Sequence, residues 1–198
     1  VQGFGNVGSH AALDLAERGI KVVAVGDVTG NVRNPKGLDI PALVKHRDRT
    51  GGVAGFEGGE PLDDVLTCEC DVLLPCAKED AITVENAAGV RARLVVEGAN
   101  GPTTPEADAI LEKNGVLVVP DILANAGGVI VSYFEWVQNR EGFYWEEDEV
   151  NNRLFTRLRK SYGRVRSLAS EKNLSMRQAA YCLALDKIAK AMIDRGAQ

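Results

Sequence analysis

Up to Pro120, short runs of apolar, often β-branched residues alternate with longer stretches in which apolar residues recur every three or four positions. The runs predict strands at Val1–Gly3, Lys21–Asp27, Asp71–Pro75, Leu94–Glu97 and Val116–Val119. Val22-Val23-Ala24-Val25 is apolar on both faces, as a strand buried between helix layers is. The intervening stretches predict helices. Val7–Arg18 is rich in alanine and leucine and stops at Gly19. Ile40–Arg49 follows Asp39, a good cap residue, with Pro41 in its first turn. Pro105–Lys113 follows Thr104 and ends before Asn114-Gly115. Strand–helix alternation of this kind implies an α/β fold, a doubly wound and mainly parallel sheet.

Beyond Ile122 the pattern holds no convincing strand. Ala126–Asn139 reads as a helix despite Gly127-Gly128. Val150, Leu154, Leu158, Tyr162, Val165 and Leu168 form one apolar face of a long helix. Its other face is basic, with Arg153, Arg157, Arg159, Lys160, Arg164 and Arg166. Such a face can touch a membrane or an acidic partner. A solvated face, or one that meets a further domain, is the preferred reading. Ser175-Met176-Arg177-Gln178 is a capping box that opens a last helix, running to about Arg195. The expected division is a dinucleotide-binding core over 1–122 and a helical part over 123–198, the latter packing on the core and on an N-terminal domain outside this chain. Gly51–Gly59 is the nearest approach to a flexible linker.

Composition narrows the partners. With 45% hydrophobic and 26% charged residues over 198 positions, the chain has ample material for a core. A net charge of -5 argues against a nucleic-acid partner. No apolar run approaches the roughly 20 residues of a membrane span, and no signal peptide is predicted. Cys68, Cys70, Cys76 and Cys182 lack a metal-ligand spacing with His10 or His46, so free thiols in a reducing cytoplasm are expected. The chain reaches its first glycine turn after only Val1-Gln2, so either a truncated first strand or a removed upstream segment is expected, and with it a larger parent protein.

That turn, Gly3-Phe4-Gly5-Asn6-Val7-Gly8, carries the chemistry. Gly3 permits the tight passage from strand to helix, Gly5 lets a pyrophosphate approach the backbone, and Gly8 allows close helix–strand packing. The phosphates then meet unpaired N–H groups at a helix N-terminus. Alone the hexamer is a weak signal. Its context adds a helix, a strand, and Asp27 nineteen residues past Gly8, near the spacing of about 20 at which a carboxylate accepts the adenosine ribose hydroxyls. Asp27 also reads as a turn residue before Val28-Thr29-Gly30. Arg33 and Lys36 leave a 2′-phosphate, and hence NADP, open. Cys76 and Ala77 follow a strand and read as small wall residues. Asn100 suits a ribose or carboxamide, and reads equally as a turn asparagine. Asn125 starts a helix and reads also as its cap. Ser132, two turns on, can bind a carboxylate, back-bond or face water.

Gly3–Gly8, Val23–Asp27, Asn34–Asp39, Leu74–Ala77, Glu97–Asp108 and Pro120–Trp136 together resemble the glutamate/leucine/phenylalanine/valine dehydrogenase family, over essentially the whole chain. The resemblance implies NAD(P)-dependent oxidative deamination of L-glutamate to 2-oxoglutarate and ammonia. The segment Val131–Trp136 is the glutamate-type version, which favours glutamate over leucine or phenylalanine. By the same resemblance Asn125 lies near the nicotinamide and substrate, and Ser132 hydrogen-bonds the substrate's side-chain carboxylate. The expected cofactor contacts are Gly3, Gly5, Asn6, Val7, Gly8, Asp27, Val28, Cys76, Ala77, Asn100 and Asn125, with Ser132 the expected substrate contact. The cofactor expected is NAD, with NADP open. The family's catalytic lysine and aspartate lie in an N-terminal domain before the glycine turn, so no catalytic residue is expected here and the chain alone is expected to be inactive. The whole protein is expected to be a homohexamer. The family's usual serine before the ribose aspartate is Gly26 here, with Val28 after it. The alternatives are a non-catalytic nucleotide-sensing module and a leucine or phenylalanine dehydrogenase.

Overall fold

Gln2 forms parallel bridges to both Gly26 and Pro75, and the strands of the first half of the chain lie on either side of it. The computed structural model describes residues 1–196 and divides into two compact units, Val1–Asp121 and one that begins at Ile122. In the first unit, β1 (Ala24–Asp27), β2 (Gly30–Arg33) and β3 (Glu60–Pro61) make one three-stranded sheet. A second contains β4 (Val72–Leu73), β5 (Leu94–Val96) and β6 (Leu117–Val119), all parallel. The Gln2 bridges join the two sheets edge to edge.

Two expectations change here. The strand at Val1–Gly3 contracts to the Gln2 bridges, because Gly3 leaves the extended conformation at once (φ 93°). The sheet around β1 is antiparallel: β1 turns through Val28-Thr29 into β2, pairing Asp27 with Gly30 and Ala24 with Arg33. That hairpin ends at Asn34-Pro35, where Pro35 has no N–H to donate and the chain folds into a turn closed by Gly37 N–H to Asn34 O at 2.9 Å. The ladder therefore starts at Ala24 rather than Lys21.

The helices follow their capping residues. α1 (Asn6–Glu17) opens on Gly5 with no side-chain cap. α2 (Ile40–Thr50) is capped by Asp39, whose carboxylate accepts from Ala42 N, and ends on the left-handed Gly51. α3 (Pro105–Lys113) is capped by Thr104 and has proline in its first turn. Two apolar clusters hold the unit together. One gathers Phe4, Ala12, Val25, Val32, Ile40, Leu43 and Val53. The other gathers Leu73, Ile82, Val95, Ala107 and Leu111. Burial of a leucine such as Leu43 or Leu111 contributes about 1.5–3 kcal/mol.

After the short α4 (Asp121–Ala124), the second unit is helical among the described residues: α5 (Gly127–Glu141), α6 (Glu147–Lys172) and α7 (Met176–Asp194). The capping box at Ser175 and Gln178 is formed in both directions. Along α6 the apolar face is buried or half-buried and the basic face is exposed. Arg153 and Arg157 nevertheless do more than face water. Arg153 lies 4.1 Å over the Trp145 ring, and Arg157 lies 5.5 Å over Phe134.

Candidate functional site

The turn Gly3–Gly8 is built by close backbone approach. Gly3 sits at positive φ, and a Cβ there would come within 2.7 Å of Ala77 N. A Cβ on Gly8 would overlap the Gly3 carbonyl oxygen. By contrast the space beside Gly5 is open to 4 Å. Gly5 is the N-cap of α1 and supplies no side chain to the first-turn N–H groups. A small oxyanion can therefore reach those donors, and the helix dipole favours it there.

Three strand ends meet this turn. Gly3 N donates to Gly26 O at 2.7 Å, which places Asp27 one residue beyond. Cys76 N donates to Gln2 O at 2.6 Å, and Ala77 N to the Gln2 side-chain oxygen at 3.3 Å. A Cβ on Gly98 would lie 2.6 Å from Cys76 Sγ and 3.3 Å from Val7 Cγ1, so the β5 end is in contact with both. Asn6, Val7, Ala77 and Asn100 are exposed around this rim. Burial pushes the Cys76 thiol above its ordinary pKa, which keeps it protonated at neutral pH.

Asp27 is half-buried and already engaged. One carboxylate oxygen accepts from Thr29 N at 2.7 Å and Thr29 Oγ1 at 2.6 Å, and the other from Val53 N at 2.9 Å. Its turn role is thus real, and it ties the Gly51–Gly59 loop to the end of β1. Each carboxylate oxygen has more than one lone pair, so acceptor capacity remains. Val28 is fully exposed beside it. Gly26 has a local cause: Asn31 Oδ1 fills the place its Cβ would take, while Asn31 Nδ2 donates to Asp63 O at 3.0 Å. Arg33 is paired with Glu60 at 2.9 Å.

Two contributors lie outside the sequence-based set. Arg47, on α2, donates from Nη1 to Phe4 O at 3.0 Å, inside the glycine turn. No spacing rule signals a contact between residues so far apart. Glu97, fully buried at the end of β5, accepts from Asp121 N at 2.8 Å, and the Asp121 carboxylate accepts from Gly101 N at 2.8 Å. This chain of bonds fixes the loop that carries Asn100. Its signal was a charged residue ending an otherwise apolar strand.

In the second unit, Asn125 lies in the turn between α4 and α5, half-buried. It is not the cap of α5: Ala126 holds that position, without a side-chain cap bond. α5 begins at Gly127, so Asn125 lies outside it and helical periodicity alone does not align Asn125 with Ser132. Ser132 is exposed on α5. Nearby, Gln138 is buried and braces the loop after α5, accepting from Trp145 N at 2.6 Å. Among the described residues no cluster of His, Cys, Asp and Glu is arranged to hold a metal ion, and no helix is long and apolar enough to cross a membrane.

Known proteins are similar to this chain in sequence and in fold. A glutamate dehydrogenase of Thermotoga maritima is 49% identical over 99% of the chain, which covers 48% of that protein. The hetero-hexameric glutamate dehydrogenase of Thermus thermophilus, in its Leu-bound form, superposes with a TM-score of 0.91 at 37% identity. That match covers 100% of this chain and 47% of the Thermus chain. Glutamate dehydrogenase from Peptoniphilus asaccharolyticus matches with a TM-score of 0.84 at 37% identity, covering 100% of this chain and 46% of its own. The chain thus spans about half the length of the relatives it matches. The family model described as Glutamate/Leucine/Phenylalanine/Valine dehydrogenase matches residues 1–196, and the chain belongs to that family.

Proposed function

We propose that this chain supplies the dinucleotide-binding half of an NAD(P)-dependent glutamate dehydrogenase, whose whole form oxidatively deaminates L-glutamate to 2-oxoglutarate and ammonia and assembles as a homohexamer. The observation that carries the reading is the uncapped N-terminus of α1, with open space beside Gly5 and contact to three strand ends. The cradle fits a pyrophosphate on the backbone of Gly5, Asn6 and Val7. Asp27 would hold the adenosine ribose, Cys76 and Ala77 would line the path, and Asn100 and Asn125 would orient the nicotinamide end. Ser132 would donate its hydroxyl hydrogen bond to the glutamate side-chain carboxylate. The bound nicotinamide supplies the hydride acceptor.

What these residues do is bind, align and exclude water. An α-amino group must also gain and lose protons, which needs a positioned base and acid. No residue is assigned that work here, so the chain alone is expected to bind nucleotide without turning over glutamate. NAD is preferred over NADP because Asp27 would offer a carboxylate to the ribose hydroxyls and would repel a 2′-phosphate.

Parallel titrations with NADH and NADPH test this. Tighter binding of NADH is expected, with no NADH formed when the chain is mixed with glutamate and NAD. Tighter NADPH binding would overturn the role of Asp27. Robust turnover would overturn the division of labour.

A further inference from the structure

We infer that Arg47 is a positioning residue for the diphosphate: it sets the shape of the glycine turn from behind. This rests on the cofactor reading above.

The guanidinium uses both edges. Nη1 donates to the Phe4 carbonyl at 3.0 Å, while Nε and Nη2 donate to Asp48 Oδ1 at 3.0 and 2.7 Å. Its Cζ lies 5.4 Å from the centroid of the Phe4 ring, which is buried in the core. Phe4 is therefore gripped at ring and carbonyl by one side chain from another helix.

Phe4 stands between Gly3 and Gly5, two residues with little conformational restraint of their own. The peptide that follows Phe4 is planar and trans, so fixing its carbonyl fixes the Gly5 N–H in the opposite direction. Gly5 is the N-cap of α1, where the diphosphate is expected to rest. Arg47 thereby holds the approach to those donors before any ligand arrives, and preorganisation of this kind is realised as affinity. The fork geometry needed to grip Phe4 O and Asp48 at once is available to arginine and not to lysine.

The test compares NADH with adenosine, which lacks the diphosphate, on the chain and on two variants, R47M and R47K. The R47M substitution is expected to weaken NADH binding about tenfold while changing adenosine binding less than about twofold. R47K keeps the apolar stem and one donor, and should weaken NADH by about threefold. The Gly5 amide resonance should shift in both variants while amides of β4–β6 stay in place. NADH affinity unchanged in R47M and R47K would overturn the inference. So would an equal loss for NADH and adenosine, which marks a merely structural role. A wild-type chain that binds adenosine but not NADH would refute the cofactor reading itself.

Discussion

The two units of this chain treat their apolar residues in opposite ways. Val1–Asp121 sinks them into two clusters, with Val25, Ile40, Leu43, Val95 and Leu111 fully inaccessible. The helical unit buries far fewer, chiefly Leu123, Phe134, Val165 and Met176, and leaves Tyr133, Trp136, Phe155, Tyr181, Leu185, Ile188 and Met192 in the open. On α7, Tyr181, Leu185, Ile188 and Met192 recur at helical spacing along one exposed stripe. An α/β sheet with flanking helices closes its own core. A helical layer spends its apolar faces on whatever it meets, and lone exposed apolar residues are ordinary where stripes are not.

A matched pair of leucines breaks this comparison most directly. Leu111→Ala removes a side chain with 0% exposure and is expected to cost about 2–5 kcal/mol in urea unfolding. Leu185→Ala, at 62% exposure, should lie within about 0.5 kcal/mol of wild type. Equal losses would show that the α7 stripe is part of a core after all.

A smaller effect probes the packing that the helical unit does have. Trp145 meets Phe134 edge-on at 5.5 Å and lies under Arg153 at 4.1 Å. Trp145→Ala is expected to destabilise by about 1–2 kcal/mol. The protein has only two tryptophans, so the fluorescence of Trp136, on α5, then reports unfolding of that unit alone. An unchanged transition would mean that these ring contacts contribute nothing.

The smallest effect is a pH dependence confined to the α/β unit. Burial raises the thiol pKa of Cys70 and Cys76. Unfolding returns them to the ordinary value, so in alkaline solution the unfolded chain holds fewer protons than the folded one. Their contribution is fully present below the ordinary thiol pKa and is lost as pH rises through the raised folded value. The double variant C70A/C76A should flatten that alkaline decline in the urea midpoint, and exposed Cys182 should be alkylated first in wild type. Fast alkylation of Cys76 would contradict its burial.

Local chemistry decided what could be read from the chain. The α3 boundaries follow residue for residue from Thr104, Pro105 and the Asn114-Gly115 stop, each acting on its neighbours. The capping box at Ser175 was equally plain. The β1–β2 hairpin escaped because β2 offers one inward apolar residue, Val32, between polar Asn31 and Arg33, too short for an alternation to register. α5 starts one residue later than expected, which gives the cap position to Ala126 instead of Asn125. At the site, the glycines and strand ends were legible through spacing. Arg47 and Glu97 act through contacts that no period encodes, and the prior engagement of Asp27 by Thr29 and Val53 depended on a loop whose path the sequence leaves open.

Gln2 sets a length. It is bridged to Gly26 on one side and Pro75 on the other, so it fixes the separation between Asp27 and the Cys76–Ala77 corner. On the proposed reading the first would hold the adenosine ribose and the second would line the path towards the nicotinamide end. The sheet is then a gauge with a single graduation mark, read out only by a molecule of the right span. Half a dinucleotide would touch one jaw of the gauge and leave the other idle.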